Sequence, residues 1–180
     1  DAGLARGRPP AAAMAMRIDI LTLFPEMFGP VLSVGIVGRA AAAGAVEVHL
    51  TNIRDFARDR YRKVDDAPFG GGPGMIMMCQ PVFDAVEAVR AQWPEEPGVL
   101  VLLSPQGRRF DQEMAGALAR ERRLILLAGH YEGFDERIRL ALADLEISLG
   151  DFVLSGGEIP AMAVVDTVTR LLPGAVGQPE

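Results

Sequence analysis

The sequence predicts an α/β domain in which a mainly parallel sheet carries helices on both faces. Three features of the 180 residues lead there. Short runs of strand formers alternate with stretches whose apolar residues recur at helical spacing. Two of the runs, 99–103 (VLVLL) and 123–128 (RLILLA), are almost wholly apolar, as strands covered on both faces must be. Hydrophobic residues make up 49% and charged residues 23%, which suits one domain with a full core.

Residues 17–23 (RIDILTL) alternate and read as the first strand. Pro25 suits the start of a helix over 26–33, where its missing N–H has no intrahelical partner to lose. A second helical stretch at 36–43 ends on Gly44, the residue type that closes helices in the left-handed conformation. Strand formers return at 46–52, and 54–74 reads as a long charged loop that turns glycine-rich at 70–74 (GGGPG). A short strand over 75–78 leads to a helix at 81–92, where Val82, Phe83, Val86 and Val89 share a face. Turn residues at 93–98 (WPEEPG) precede the strand 99–103. Then come a loop at 104–110, a helix at 112–120, the strand 123–128, a turn at 129–133 (GHYEG) and a helix at 134–143. A strand at 145–148, a loop at 149–157 and a helix at 159–172 complete the domain, and 173–180 reads as the start of a linker. In parallel sheets ligands sit beyond the carboxyl ends of the strands. That rule marks three loops: 104–109, 129–133 and 149–157.

No run approaches the roughly 18 apolar residues of a membrane span, which predicts a soluble chain with no membrane partner. Residues 1–15 lack the sustained apolar stretch of a secretory leader and read as a tag or extension ahead of Met16. The single cysteine, Cys79, allows neither an internal disulfide nor a thiolate metal cluster. A cytoplasmic protein is the expectation. The net charge of −6 argues, taken alone, against a nucleic-acid partner. Distribution matters more than the sum, because Arg54, Arg58, Arg60, Arg62 and Lys63 fall within one short stretch. On charge alone that stretch reads as a solvated face.

Several chemistries are excluded directly, and a serine–histidine triad is poorly supported. No G-x-G-x-x-G follows a strand, and GGGPGM (70–75) lacks the Lys-Ser/Thr of a triphosphate-binding loop. The serine of LSGGE, Ser155, has Val153 where a nucleophile elbow needs glycine. Of the two histidines, His49 lies in a strand and reads as structural, while His130 lies in a loop at a strand end. No metal-ligand spacing is present, and no metal site is expected within the chain. What remains is glycine-rich turns with few nucleophiles, a pattern that lets backbone groups approach a small molecule closely.

Five motifs carry a resemblance: FPEMF (24–28), DDAPFGGGPGM (65–75), LSPQGR (103–108), GHYEGFDER (129–137) and LGDFVLSGGEIPA (149–161). In this order and spacing they resemble the bacterial tRNA (guanine-N1)-methyltransferase family, of the SPOUT class, over 16–179. The resemblance implies a deep trefoil knot in the C-terminal part, which general folding rules would not predict. It implies S-adenosyl-L-methionine as cofactor, with a divalent cation such as Mg2+ as an option for transfer. Leu102, Leu103, Ser104, Pro105, Gly129, Tyr131, Glu132, Leu149, Gly150, Asp151, Phe152, Val153 and Leu154 would line the cofactor site, with Gly156, Gly157 and Pro160 close by.

The implied reaction places a methyl group on N1 of guanosine 37 in tRNA. Arg170 is implied as the cation that stabilises charge on O6, although without the resemblance it reads as a helix-end arginine beside the helix dipole. The catalytic aspartate and much of the tRNA grip are implied to lie beyond Glu180, so 16–174 would form the methyltransferase domain and 175–180 would begin a linker. Methyl transfer by this chain alone is therefore expected to be weak. With a tRNA partner implied, Arg54, Arg58, Arg60, Arg62 and Lys63 become candidate phosphate contacts. Asp135 and Glu136 read as caps of their helix. Family members are homodimers with sites between subunits, and Ala161, Met162, Val164, Val165, Val168 and Leu171 suggest that the last helix helps form the interface. Two other readings stay open: a non-catalytic module that binds an adenine-containing metabolite, and a methyltransferase of this fold acting on another RNA.

Overall fold

A computed structural model describes residues 14–130 and 132–176. The expected extension at 1–15 falls almost wholly outside them, as do Tyr131 and the end of the expected linker. The first strand, β1 (Met16–Thr22), lies near the middle of a five-stranded sheet. A 3-10 turn at Pro25–Met27 and the short helix α1 (Gly29–Ser33) replace the single helix expected over 26–33. Helix α2 (Gly35–Ala42) ends at Gly44, whose φ of 77° fulfils its expected role. Strand β2 (Val46–Asn52) forms one edge, and its partly exposed residues fit that place.

The expected long loop contains structure of its own. A 3-10 turn at Ile53–Phe56 is capped by the Asn52 side chain, and β3 (Asp65–Asp66) pairs antiparallel with β4 (Ile76–Met77). The connection between them turns on Gly70, Gly71, Gly72 and Gly74, all at positive φ, where side chains are strained. Helix α3 (Cys79–Ala91) follows, then β5 (Val99–Arg109), α4 (Gln112–Leu118), β6 (Arg123–Ala128), α5 (Glu136–Leu142), β7 (Leu145–Ser148) and α6 (Glu158–Thr169).

The sheet runs β2-β1-β6-β5-β7 with every pair parallel. Alternation along β6 shows how both faces are filled. Leu124 and Leu126 join the helices α2, α4 and α6, while Ile125 and Leu127 join α3 and α5. All four are fully buried, which explains the continuous apolar run. Ala161, Val164, Val165 and Val168 of α6 are buried in the chain's own core. These four are therefore no part of an exposed interface, which corrects the expectation for them; Met162 is only partly buried and Leu171 is exposed. Among the described residues no helix is long and apolar enough to cross a membrane.

The expected loop at 104–110 also needs correction. Strand β5 pairs with β7 through Leu103↔Ile147, arches outward, and rejoins the same strand at Arg108↔Ile147 and Arg109↔Ser148. After edge strand β7 the chain returns to the sheet centre, where α6 packs on β1 and β6. The Gly157 N–H donates to the Gly129 carbonyl at 2.8 Å, fastening that return to the end of β6.

Candidate functional site

Three loops leave neighbouring strands at the same side of the sheet, as the parallel architecture requires. They are the β5 arch, the turn after β6 and the connection from β7 to α6. Together they enclose a cavity of about 330 Å³. Glycines shape it by close approach. At Gly157 a Cβ would lie 2.7 Å from Ala128 Cα, and at Gly129 it would overlap the Phe134 ring. In the arch, a Cβ on Gly107 would lie 2.5 Å from the Ile147 backbone. Any side chain at these positions would push strands apart or fill the cavity.

Leu102, Leu103, Ser104, Pro105, Gly129, Glu132, Leu149, Phe152, Val153, Leu154, Gly156, Gly157 and Pro160 all line this cavity. Gly150 and Asp151 do not. There the chain makes a local turn, in which the Ser148 hydroxyl donates to the Gly150 carbonyl at 3.0 Å, and Asp151 faces solvent. Arg170 is also absent from the lining. It is the exposed C-terminal cap of α6, and twelve residues at about 1.5 Å per residue separate it from the Gly157 end.

The three marked loops also bring Gln106, His130, Gly133 and Ser155 to the lining, though none was singled out for the cofactor, while Phe134, Glu136, Arg139, Glu146, Ile147 and Ser148 were missed. His130, Phe134 and Ser155 sat inside quoted motifs and were within reach of that reasoning. Arg139 and Glu146 carried no local signal, because only the packing of α5 beside β7 brings them together. Arg139 pairs with Glu136 and reaches Glu146 at 3.6 Å. The Glu136 carboxylate beside it pushes the Arg139 pKa up.

Behind the wall, Glu158 is 2% exposed and accepts a hydrogen bond from the Thr22 hydroxyl at 2.8 Å. His130 Nε2 lies 3.8 Å from the same carboxylate, and its ring rests on Phe24 with centroids 4.9 Å apart. The glycine-rich connection between β3 and β4 closes on the cavity's other side. Glu132 donates its N–H to Met75 O at 2.9 Å, and its side chain fills the space a Cβ on Gly74 would need.

Asp135 caps α5 as expected, accepting from Arg137 N at 2.9 Å. The Arg137 guanidinium holds its carboxyl well below the usual carboxylate range. Burial, then the Asp135 charge, pushes the Cys79 thiol up, which disfavours a thiolate nucleophile there. His49 lies on edge strand β2, 3.4 Å from Glu47, in keeping with a structural reading.

The basic stretch is paired largely with acids of its own and of neighbouring elements. Arg58 pairs with Asp84 at 2.7 Å, Arg62 with Asp55 at 2.8 Å, and Lys63 with Asp66 at 3.8 Å. Arg54 donates to the Arg62 carbonyl, and Arg60 lies over the Tyr61 ring at 5.9 Å. Tyr61 and Phe69 are 83% and 91% exposed.

Residues 16–180 match the family described as tRNA (Guanine-1)-methyltransferase TrmD. A tRNA (guanine-N(1)-)-methyltransferase of Moorella thermoacetica is 56% identical over 165 residues, covering 92% of this chain and 66% of that protein. One from Ruminiclostridium cellulolyticum is 53% identical, covering 89% and 69%. The crystal structure of the Aquifex aeolicus tRNA (m1G37) methyltransferase superposes with a TM-score of 0.84 at 38% identity, covering 92% of this chain and 73% of that one. This chain thus spans about two thirds of the length of the curated relatives it matches. On sequence and fold together, the chain belongs to the tRNA (guanine-N1)-methyltransferase TrmD family.

Proposed function

We propose that residues 16–174 are the methyltransferase domain of an enzyme that moves a methyl group from S-adenosyl-L-methionine to N1 of guanosine 37 in tRNA. The character of the cavity carries this reading. The charged residues Glu132, Glu136 and Glu146 line it against Arg139. Such a wall repels the phosphates of ATP or NAD and suits a ligand with a positive sulfonium and no phosphate. Leu102, Leu103, Ile147, Leu149 and Leu154 supply apolar surface for an adenine, and the glycine walls bring backbone groups close to it.

When bound, the cofactor supplies an electrophilic methyl carbon. The protein's work is at the guanine, whose N1 carries a proton and becomes nucleophilic on losing it. A carboxylate at N1 and a cation at O6 favour that loss. Arg170 is the proposed cation. Its distance from this cavity along α6 fits a site completed by a second copy of the chain. Phe152 and Val153 on the cavity rim, 56% and 81% exposed, support such a homodimer, as do exposed Ile159 in the first turn of α6 and Leu171 just past its end. The return of the chain from edge strand β7 to the sheet centre supports the knotted passage that the family implies.

The stretch containing Arg54, Arg58, Arg60, Arg62 and Lys63 is proposed to meet the RNA. Exposed Tyr61 and Phe69 add faces on which unpaired bases can stack. A cytoplasmic location and a divalent cation such as Mg2+ during transfer belong to the same reading. The test is incorporation of labelled methyl groups into tRNA carrying guanosine at position 37, against the same tRNA carrying adenosine there. Transfer that needs guanosine 37 is expected. Transfer to another RNA would point to a methyltransferase of the same fold with a different substrate. Cofactor binding without any transfer, by a protein of the relatives' full length, would favour the metabolite-binding module.

A further inference from the structure

We propose that Glu158 is a positioning residue: its buried carboxylate ties the end of β1, the turn after β6 and the glycine pair 156–157 into the arrangement that keeps the cavity open. It is not itself among the cavity-lining residues, whereas His130, Gly129, Gly156 and Gly157, which surround it, are. One carboxylate oxygen accepts from Thr22 Oγ1 at 2.8 Å, and that hydroxyl accepts from Phe24 N at 3.0 Å. The other oxygen lies 3.8 Å from His130 Nε2. Across the ring, Phe24 meets His130 at an interplanar angle of 57°. A Cβ on Gly156 would overlap both the Glu158 carboxylate and the His130 ring, so the three groups are packed as a unit.

The choice of residue type is informative. A carboxylate at 2% exposure is disfavoured unless hydrogen bonds and favourable charge offset its lost hydration. Leucine would fill similar space without that penalty. A packing role alone would therefore not call for glutamate. The Thr22 hydroxyl supplies a hydrogen bond, and the place of Glu158 in the first turn of α6 sets its charge beside the positive end of that helix. The same contacts fix where β1, β6 and α6 meet, and that junction is one wall of the cavity.

The ligand part of the test rests on the proposed cofactor; the exchange part does not. Glu158→Leu, Glu158→Gln, Thr22→Val and the core variant Val165→Ala are compared with the unaltered chain. Each is measured for S-adenosylhomocysteine affinity by calorimetry, for melting temperature, and for amide hydrogen exchange at Gly157 without ligand. Glu158→Leu should weaken binding about tenfold or more, as expected for losing hydrogen bonds to a charged group, and should speed exchange at Gly157. Glu158→Gln, whose carbonyl still accepts from Thr22, should recover most of both. Thr22→Val should move them in the same direction as Glu158→Leu but less far. Val165→Ala should lower the melting temperature and leave affinity unchanged. The proposal is overturned if Gly157 exchange is the same in Glu158→Leu as in the unaltered chain, or if affinity falls only as it does in Val165→Ala. Should the unaltered chain bind no S-adenosylhomocysteine, the cofactor reading fails, and the exchange at Gly157 still decides the role of Glu158.

Discussion

The two ends of the central strands bury charge in opposite ways. Toward the amino ends of β1 and β6, Arg123 and Asp19 are both fully buried and pair at 3.0 Å. Arg123 also donates to the carbonyls of Trp93 and Glu96, while Gly98 at a φ of 73° lets the preceding turn wrap the guanidinium. Arg17 adds a second cation to Asp19 at 2.9 Å. Every partner there belongs to the protein, and the space is full. At the carboxyl ends the acid of Glu158 is also buried, but its surroundings open through His130 and the glycines onto a cavity. One end is closed by its own groups; the other opens onto a cavity. The first should govern stability and the second binding.

That division can be broken by substitution. Arg123→Ala leaves Asp19 buried with only its surface-side partner, and loss of about 3–5 kcal/mol is expected from a broken buried pair. Denaturant unfolding measures it, while ligand affinity of the folded fraction should stay unchanged. Gly156→Ala attacks the other end. Its Cβ would overlap Glu158 and His130, and crowding of this kind typically costs about 1–3 kcal/mol. Here the larger change should fall on S-adenosylhomocysteine affinity rather than on unfolding. Similar losses of stability and affinity in both variants would erase the distinction between the two ends.

The sequence made the two ends unequally visible. Strands at 46–52, 123–128 and 145–148 were legible to the residue, because their runs of strand formers end at turn residues. The continuation of β5 past Leu103 was not. Ser104–Pro105–Gln106–Gly107 has turn chemistry, and Arg108 and Arg109 are strand residues only because β7 offers them partners. Two-residue strands β3 and β4 have too few positions to show a period. The candidate site was legible where it is made of loops at strand ends, since the parallel architecture alone marks those. Arg139 and Glu146 lie on a helix and a strand whose facing is set by packing. The Arg123–Asp19 pair was equally hidden, since its members stand 104 residues apart.

A smaller effect sharpens the contrast by showing a charge that matters to neither end. The Arg137 side chain hydrogen-bonds Asp135 and holds its pKa well below the usual range. A depressed carboxylate pKa contributes stability that is present above the unfolded value of about 3.9. That stability is lost as pH falls below it toward the folded value. Melting temperature should therefore decline in that acid window, and Asp135→Asn, which still caps α5, should remove part of the decline. Smaller still, Arg170→Ala should leave S-adenosylhomocysteine affinity unchanged, because Arg170 does not line the cavity of its own chain. In a protein of the relatives' full length the same variant should slow methyl transfer.

The open, acid-lined end of the sheet is proposed to receive a phosphate-free sulfonium cofactor. Calorimetric titration of the chain with S-adenosyl-L-methionine, S-adenosylhomocysteine, ATP and NAD tests this most directly. One site per chain for the first two, with far weaker binding of the phosphate-bearing ligands, is the predicted result. Absence of heat and of any thermal shift at saturating S-adenosyl-L-methionine, or binding of NAD with comparable affinity, would contradict it.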